Sequence, residues 1–367
     1  MTAPYGQDPE GGDWLSPLRA LWGLAPHQTM SPALEEKLCF TATLAGSFEA
    51  AAALAAKWGS PVEDATIHHH VQQAGARAEA QMQARTERAL DPQTRAEVVA
   101  EAKPDLPTQP FDLVLMMDGW MIRERGAQWG LKPADLKALR VEWREMKSGI
   151  VFRLDQRGAT ESGRRLLVEK FYVAHRGGPE ELGRRLYAEA LRRGLNQARR
   201  VYVIADGAVW IWHVAQDRFP EAIGGLDFHH ASQNLWVVAH ELFGEGTAEA
   251  RVWIEPLLHQ LAHGGEAGVL QTLADLIGLC QELAAESRQV IETKVAYFEE
   301  HREHLHYQQL EEQGCPRGSG AMESTCSQFQ DRFKRTGQFW TLPGETALMA
   351  LELARRNQDW DEIWSIN

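Results

Sequence analysis

Two apolar runs in this sequence end in the same dipeptide. Phe111-Asp112-Leu113-Val114-Leu115-Met116-Met117 runs into Asp118-Gly119, and Val201-Tyr202-Val203-Ile204-Ala205 runs into Asp206-Gly207. A near-continuous apolar run reads as a buried strand, and an Asp-Gly closing it reads as a strand tip that opens at a site. Neighbouring strands lie about 4.8 Å apart, so two such tips could hold divalent metals about 3.5–4 Å from each other, the arrangement of two-metal phosphoryl transfer. Mg²⁺ takes a few carboxylates and several waters, so one more acidic group suffices. Glu323 is the candidate, in the first turn of a helix that starts near Ser319, just after the Gly-rich turn Cys315-Pro316-Arg317-Gly318. A single Asp-Gly is ordinary turn chemistry; two of them with a Gly-preceded Glu point to a site.

The elements that must position these groups can be read from pattern. Ser148–Leu154 and Leu166–Val173 are further strand candidates, and a helix over 179–193 leads past Gly194 into the second Asp-Gly run. Strands, a crossover helix and another strand predict an α/β core with a mixed sheet over 111–227. Helical spacings such as Leu257, Leu258, Leu261 and Leu270, Leu273, Leu276, Ile277 make 228–310 an all-helical insertion, and 311–367 completes the core with the Glu-bearing helix and a C-terminal helix. At about 100° per residue, Glu323, Ser327, Gln330 and Lys334 share a polar face of that helix. Met322, Cys326, Phe329 and Phe333 form the apolar face expected to dock on the sheet and turn Glu323 toward the two Asp residues.

Ahead of the core, residues 1–32 are expected to form an irregular arm and 33–104 a helical region, closed by prolines at 104, 107 and 110. Phe48–Trp58 reads as one helix of strong formers, Gly59 stops it, and Ala65–Val71 reads as a second, short helix. That spacing resembles a helix-turn-helix, whose second helix enters the major groove; a plain helical hairpin fits the same pattern. His68, His69 and His70 cannot share one helix face, which argues against a common metal site.

Bulk properties set the frame. The chain has 367 residues, 44% hydrophobic and 24% charged, enough for sizeable cores. Its net charge of -13 argues against a general nucleic-acid binder, but the charge is uneven: -6 over 1–110, +6 over 111–220, -10 over 221–310 and -3 over 311–367. A basic block between acidic ones is a candidate anion-binding surface. The four cysteines lie far apart without a C-x-x-C, which fits a reducing cytosol better than a disulfide framework or zinc ribbon. The first residues lack a basic and then apolar leader, and no run of about 18 apolar residues occurs, so a cytoplasmic protein is expected rather than a secreted or membrane one.

Five stretches in order carry a resemblance. These are Met117-Asp118-Gly119-Trp120; Glu142–Lys147 leading into Gly149-Ile150-Val151-Phe152; Ala205-Asp206-Gly207-Ala208-Val209-Trp210-Ile211-Trp212; Leu226-Asp227-Phe228-His229-His230-Ala231; and Gly318–Ser324. Together they closely resemble the Kra-type bacterial insertion-sequence transposases, which are DDE transposases with a ribonuclease-H-like fold. The likeness runs from about Phe111 to the C-terminus, including Arg332–Trp340 and the final Trp360 to Trp364, and more faintly includes Ala65-Thr66-Ile67-His68. The resemblance implies that Asp118, Asp206 and Glu323 are the catalytic triad holding two Mg²⁺ ions, with Mn²⁺ as a substitute. It also implies cleavage and strand transfer at the ends of the element, acting as a homodimer on DNA. Asp227 and His230 match a D-x-x-H element of related transposases; helix capping by Asp227 with a local bond by His230 accounts for them as well. The alternatives are a ribonuclease-H-like DNA nuclease without strand transfer, or a non-catalytic transposase-derived DNA-binding protein.

The remaining candidates concern DNA contact. Lys334 and Arg335 could meet phosphate along the Glu-bearing helix, together with Arg332. The pairs Arg184-Arg185, Arg192-Arg193 and Arg199-Arg200 could line a DNA path or simply face solvent. Trp340 could stack on an exposed base, whereas core packing is expected for Trp143, Trp210 and Trp212. His301, His304 and His306 look like a metal cluster, but without a further ligand a solvated helix is expected.

Overall fold

The computed structural model describes residues 6–7, 14–15, 21, 24, 30–101, 106–131, 140–159, 161 and 165–365. Most of the expected arm over 1–32 lies outside the described residues. Contacts divide the chain into two compact units. One gathers Met1–Gln81, Arg123–Glu142 and Asp331–Asn367, and the other Met82–Ile122 and Trp143–Gln330.

The first unit is helical where its described residues form long elements. Helices α1 (Pro32–Leu44) and α2 (Phe48–Lys57) start at Ser31 and Ser47, whose side chains accept from the amides of Leu34 and Ala50. The next helix, α3 (Asp64–Leu90), has 27 residues, far longer than the short recognition helix expected from Ala65–Val71. The stop signal at Gly59 is met, but after Val71 only the isolated Gly75 interrupts a run of strong helix formers, and the helix continues through it. His68 and His69 are exposed and His70 pairs with Glu35 at 3.4 Å. The short α4 (Arg95–Ala100) that follows belongs to the second unit. Of the segment 311–367 expected to complete the core, residues to Gln330 group with the sheet, whereas Asp331–Asn367 groups with the N-terminal helices: α13 (Leu342–Arg356) packs against α1. Arg332 is buried and donates to the Ala42 carbonyl at 3.2 and 3.1 Å, and Trp340 is buried with its indole donating to the Phe333 carbonyl at 2.7 Å. Both expected DNA contacts are therefore internal ties, because a guanidinium and an indole taken out of water must be hydrogen-bonded. Lys334 is half-buried and Arg335 is exposed.

The second unit holds a five-stranded mixed sheet. Strands β1 (Asp112–Arg125), β2 (Val141–Arg153), β3 (Phe171–His175), β4 (Arg200–Ala205) and β5 (Ile223–Leu226) lie in the order β3-β2-β1-β4-β5. β1 pairs in parallel with β4 and β4 with β5, while β2 and β3 are antiparallel. The apolar run that reads as a central strand is central. Its odd-numbered side chains, Leu113, Leu115 and Met117, pack in one core with Val151, Val203 and the inner faces of α5 (Pro179–Arg192) and α6 (Val209–Arg218). The stretch Leu166–Val173 splits: Arg165–Leu167 pairs with Arg157–Ala159 in a small hairpin, and β3 begins only at Phe171.

The predicted insertion is helical. It comprises α7 (Phe228–Phe243), α8 (Ala248–His263), α9 (Ala267–Leu279), α10 (Ala285–Glu300) and α11 (Tyr307–Glu312), after which α12 (Gly320–Phe333) carries Glu323. Among the described residues, no helix is long and apolar enough to cross a membrane.

Candidate functional site

Sheet register aligns the acidic residues. Leu115 faces Val203, so three residues further on Asp118 comes level with Asp206; Ala205 faces Leu226, so Asp206 comes level with Asp227. Three carboxylates on neighbouring parallel strands thus share one level, Asp206 and Asp227 just beyond the ends of β4 and β5. Asp118 is not at a strand tip, as the sequence suggested, but inside β1, which continues seven residues beyond it to Arg125. What opens the site is the ending of β4, not of β1.

Helix α12 brings in the fourth carboxylate. Its predicted apolar face is buried at Met322, Cys326, Phe329 and Phe333, and Phe329 stacks on Trp120 with centroids 6.3 Å apart. Trp120 and Asp118 project from the same face of β1, two residues apart, so the docked helix lies over Asp118. Lys170 adds a tie, donating to the Thr325 hydroxyl at 2.9 Å and the Ala321 carbonyl at 3.3 Å. Glu323 itself is exposed, and its charge reaches Asp118. A cleft of about 270 Å³, lined by Met116, Phe152, Arg157, Leu166, Gly318 and Ala321 among others, lies beside the start of this helix.

The electrostatics of Asp118 reflect its neighbours. Burial pushes the Asp118 carboxyl above the usual carboxylate range, and the charges on Asp206 and Glu323 push it the same way; hydrogen bonds from the Gly119 amide and the Cys326 thiol oppose this. Burial, then the Asp118 charge, raises the Cys326 thiol in turn, so it stands as a neutral donor to Asp118. Asp206 accepts from the Ala208 amide at 2.9 Å, and its own carbonyl accepts from the Trp212 indole at 3.1 Å.

Asp227 is a clasp. One carboxylate oxygen caps α7 by accepting from the amides of His229 (2.7 Å) and His230 (3.1 Å). The other accepts from the Ser319 amide and, at 2.7 Å, from the Ser319 hydroxyl, immediately before α12. The Phe228 amide donates to the Arg317 carbonyl at 2.9 Å alongside. Burial pushes the Asp227 carboxyl up, but these hydrogen bonds outweigh it and hold it below the usual range. His230 contributes its carbonyl to Asn234 at 2.8 Å, a local bond.

Several expected roles change. Arg192 and Arg193 are buried, both paired with Glu189 at 3.0 and 2.7 Å, and Arg193 lies 3.3 Å over the Phe171 ring. They hold α5 against the sheet and cannot reach DNA. Arg199 and Arg200 both clamp Asp112 at 2.7 Å, and Arg184 and Arg185 pair with Glu181, so these arginines are engaged in internal ion pairs. Trp143, expected in the core, is 52% exposed. The histidines expected on a solvated helix are packed: His301 is buried, and His304 stacks on Trp212 with centroids 3.7 Å apart. Among the described residues, no three His, Cys, Asp or Glu side chains stand close enough to hold a metal ion. The donor set at Asp118, Asp206 and Glu323 consists of hard oxygens whose charges oppose one another, which suits a hard dication, although the side chains as they stand do not form a ligand shell.

Burial pushes His304 down to about 4, with the charges of His301 and His306 acting in the same direction. A histidine whose folded pKa is depressed supports the fold while neutral, so stability should fall as pH drops from 6.5 toward 4. Chemical denaturation at stepped pH should show this decline, and His304→Phe, which keeps the ring on Trp212, should flatten it; an unchanged decline would assign it to other groups.

Sequence reasoning missed Ser319, Cys326 and Tyr297 as neighbours of the acidic row. Tyr297 lies four residues before His301, and a Cβ on Gly207 would come within 2.5 Å of its hydroxyl. Only a helical spacing linked the two, and nothing local tied them to Asp206. One family profile, described as an uncharacterised protein family (UPF0236), matches residues 159–363. No curated protein matches the chain.

Proposed function

We propose that the chain, which belongs to this uncharacterised protein family, is a DDE-type transposase that cleaves the ends of its own insertion sequence and joins them to target DNA. The observation that carries the reading is that Asp118 and Asp206 stand level on two parallel strands while the charges of Asp206 and of Glu323, on the docked helix, both act on Asp118. The mixed sheet and the helical insertion before the Glu-bearing helix are compatible with the ribonuclease-H-like core that the resemblance implies.

In this reading Asp118, Asp206 and Glu323 hold two Mg²⁺ ions, or Mn²⁺, which when bound activate the attacking oxygen and stabilise the departing 3′ oxygen. The chain's own work is positioning. β1 and β4 hold two carboxylates at one level, the buried face of α12 aims the third, and Asp227 fixes where α12 begins. The Cys326 thiol orients Asp118. With Arg192, Arg193, Arg332 and Trp340 held internally, DNA contact falls to exposed groups such as Arg335 and to Lys334. Action in the bacterial cytoplasm, as a homodimer on DNA, belongs to the same proposal.

Duplexes tiled across the DNA flanking the coding sequence provide the test. Anisotropy over a salt series should give affinity that falls with salt, each phosphate contact contributing about 0.9 to the slope. Mg²⁺-dependent nicking at the preferred duplex, and joining of its 3′ end to a target plasmid, are expected. Cleavage without joined product would favour the nuclease, and binding with no cleavage the non-catalytic protein.

A further inference from the structure

Phosphoryl transfer needs hydrogen-bond donors for the phosphate oxygens, and Asp118, Asp206, Asp227 and Glu323 are only acceptors when ionised. The helical insertion supplies a donor. Tyr297 on α10 lies over Gly207, the residue after Asp206: a Cβ there would stand 2.4 Å from the Tyr297 ring and 2.5 Å from its hydroxyl oxygen. Only a residue without a side chain allows the phenol so close. The hydroxyl feels the charges of both Asp206 and Asp227, which places it at that end of the acidic row. Among the described residues, none takes a hydrogen bond from it.

The ring is held there from two sides. His301, one turn along, packs edge-on against it with centroids 4.7 Å apart, and the buried His301 ring lies beside the Gly207 backbone. Trp212 donates to the Asp206 carbonyl and stacks on His304, fastening the same stretch of the insertion to the same segment. The insertion therefore does more than fill the gap between Asp206 and Glu323.

Building on the phosphoryl-transfer reading, we propose that Tyr297 is a catalytic residue whose hydroxyl donates a hydrogen bond to a non-bridging oxygen of the scissile phosphodiester. In the cleavage step the water oxygen bonds to phosphorus and the bond from phosphorus to the 3′ oxygen breaks. One water proton passes to the 3′ oxygen through solvent, and the other stays with the 5′-phosphate. Tyr297 keeps its proton throughout. Its donor meets the charge that grows on the phosphoryl oxygens, where a single such donor is worth about 10²-fold in rate.

Tyr297→Phe in the full chain removes the donor and keeps the ring on His301. Single-turnover cleavage of the preferred flanking duplex in Mg²⁺ should fall about 10²-fold. Affinity for the uncut duplex by anisotropy and the thermal midpoint should stay at wild-type values, a split that a merely structural tyrosine would not give. A wild-type cleavage rate in this variant overturns the role of Tyr297 while leaving the transposase reading intact, as does a loss matched by weaker binding or a lowered midpoint. A wild-type chain that cuts none of the duplexes overturns both.

Discussion

Asp118→Asn should give a protein that is more stable than the wild type and inactive. Burial and the charges of Asp206 and Glu323 raise the Asp118 carboxyl, so ionised Asp118 destabilises the fold. The sign follows from linkage. A carboxyl whose folded pKa is raised costs stability as pH rises through the range above its unfolded value, and a neutral amide of the same shape removes that cost. At pH 7 the denaturation midpoint should therefore rise, and the gain should vanish in acid, where Asp118 is protonated in both states. Cleavage should fall by about 10³-fold or more, since losing one ligand of a catalytic dication costs several kcal/mol. Asp206→Asn and Glu323→Gln should lose activity to a similar degree. Full activity in any of the three would defeat the triad, and a less stable Asp118→Asn would show that its carboxylate supports the fold after all.

Asp227→Ala should do the opposite, lowering stability and activity together. The carboxylate is buried and accepts from His229, His230 and both the amide and hydroxyl of Ser319. Loss of a helix cap costs about 1 kcal/mol, and stranding buried donors costs about 1–3 kcal/mol more, so about 3 kcal/mol of stability should disappear. Because hydrogen bonding holds this carboxyl below its usual range, its contribution is present above the unfolded pKa and is lost as pH falls through the folded one. The start of α12 is released by the same substitution, so Glu323 should be less well placed. Ser319→Ala separates the two effects, since it leaves the α7 cap intact and removes one bond to the clasp. A midpoint in Asp227→Ala within error of wild type would show that the clasp carries little.

Much of this site was legible before folding was considered. The central strand is visible as an unbroken apolar run, and the docking face of α12 as Met322, Cys326, Phe329 and Phe333 at helical spacing. β5 was not, because Ile223-Gly224-Gly225-Leu226 has the wrong composition for a strand. Its glycines are needed for contacts made far along the chain: a Cβ on Gly224 would stand 2.3 Å from His304, and one on Gly225 would stand 2.8 Å from Leu310. The arginines failed for a related reason. Arg192 and Arg199 read alike as basic residues, yet one is buried on Glu189 and the other clamps Asp112 at the surface, and only the partner decides.

The -13 net charge and the positions of the acidic residues belong to the sequence alone, as do the helix and strand periodicities, because side-chain chemistry and local spacing act within a few residues. Tertiary structure decided that Asp118, Asp206 and Asp227 share one level, that Ser319 is clasped, and that Tyr297 leans over Gly207. The Ser319 and Tyr297 contacts join residues 92 and 90 apart in the chain. Their energy exists only once the sheet and insertion have closed around them, and no local pattern records it.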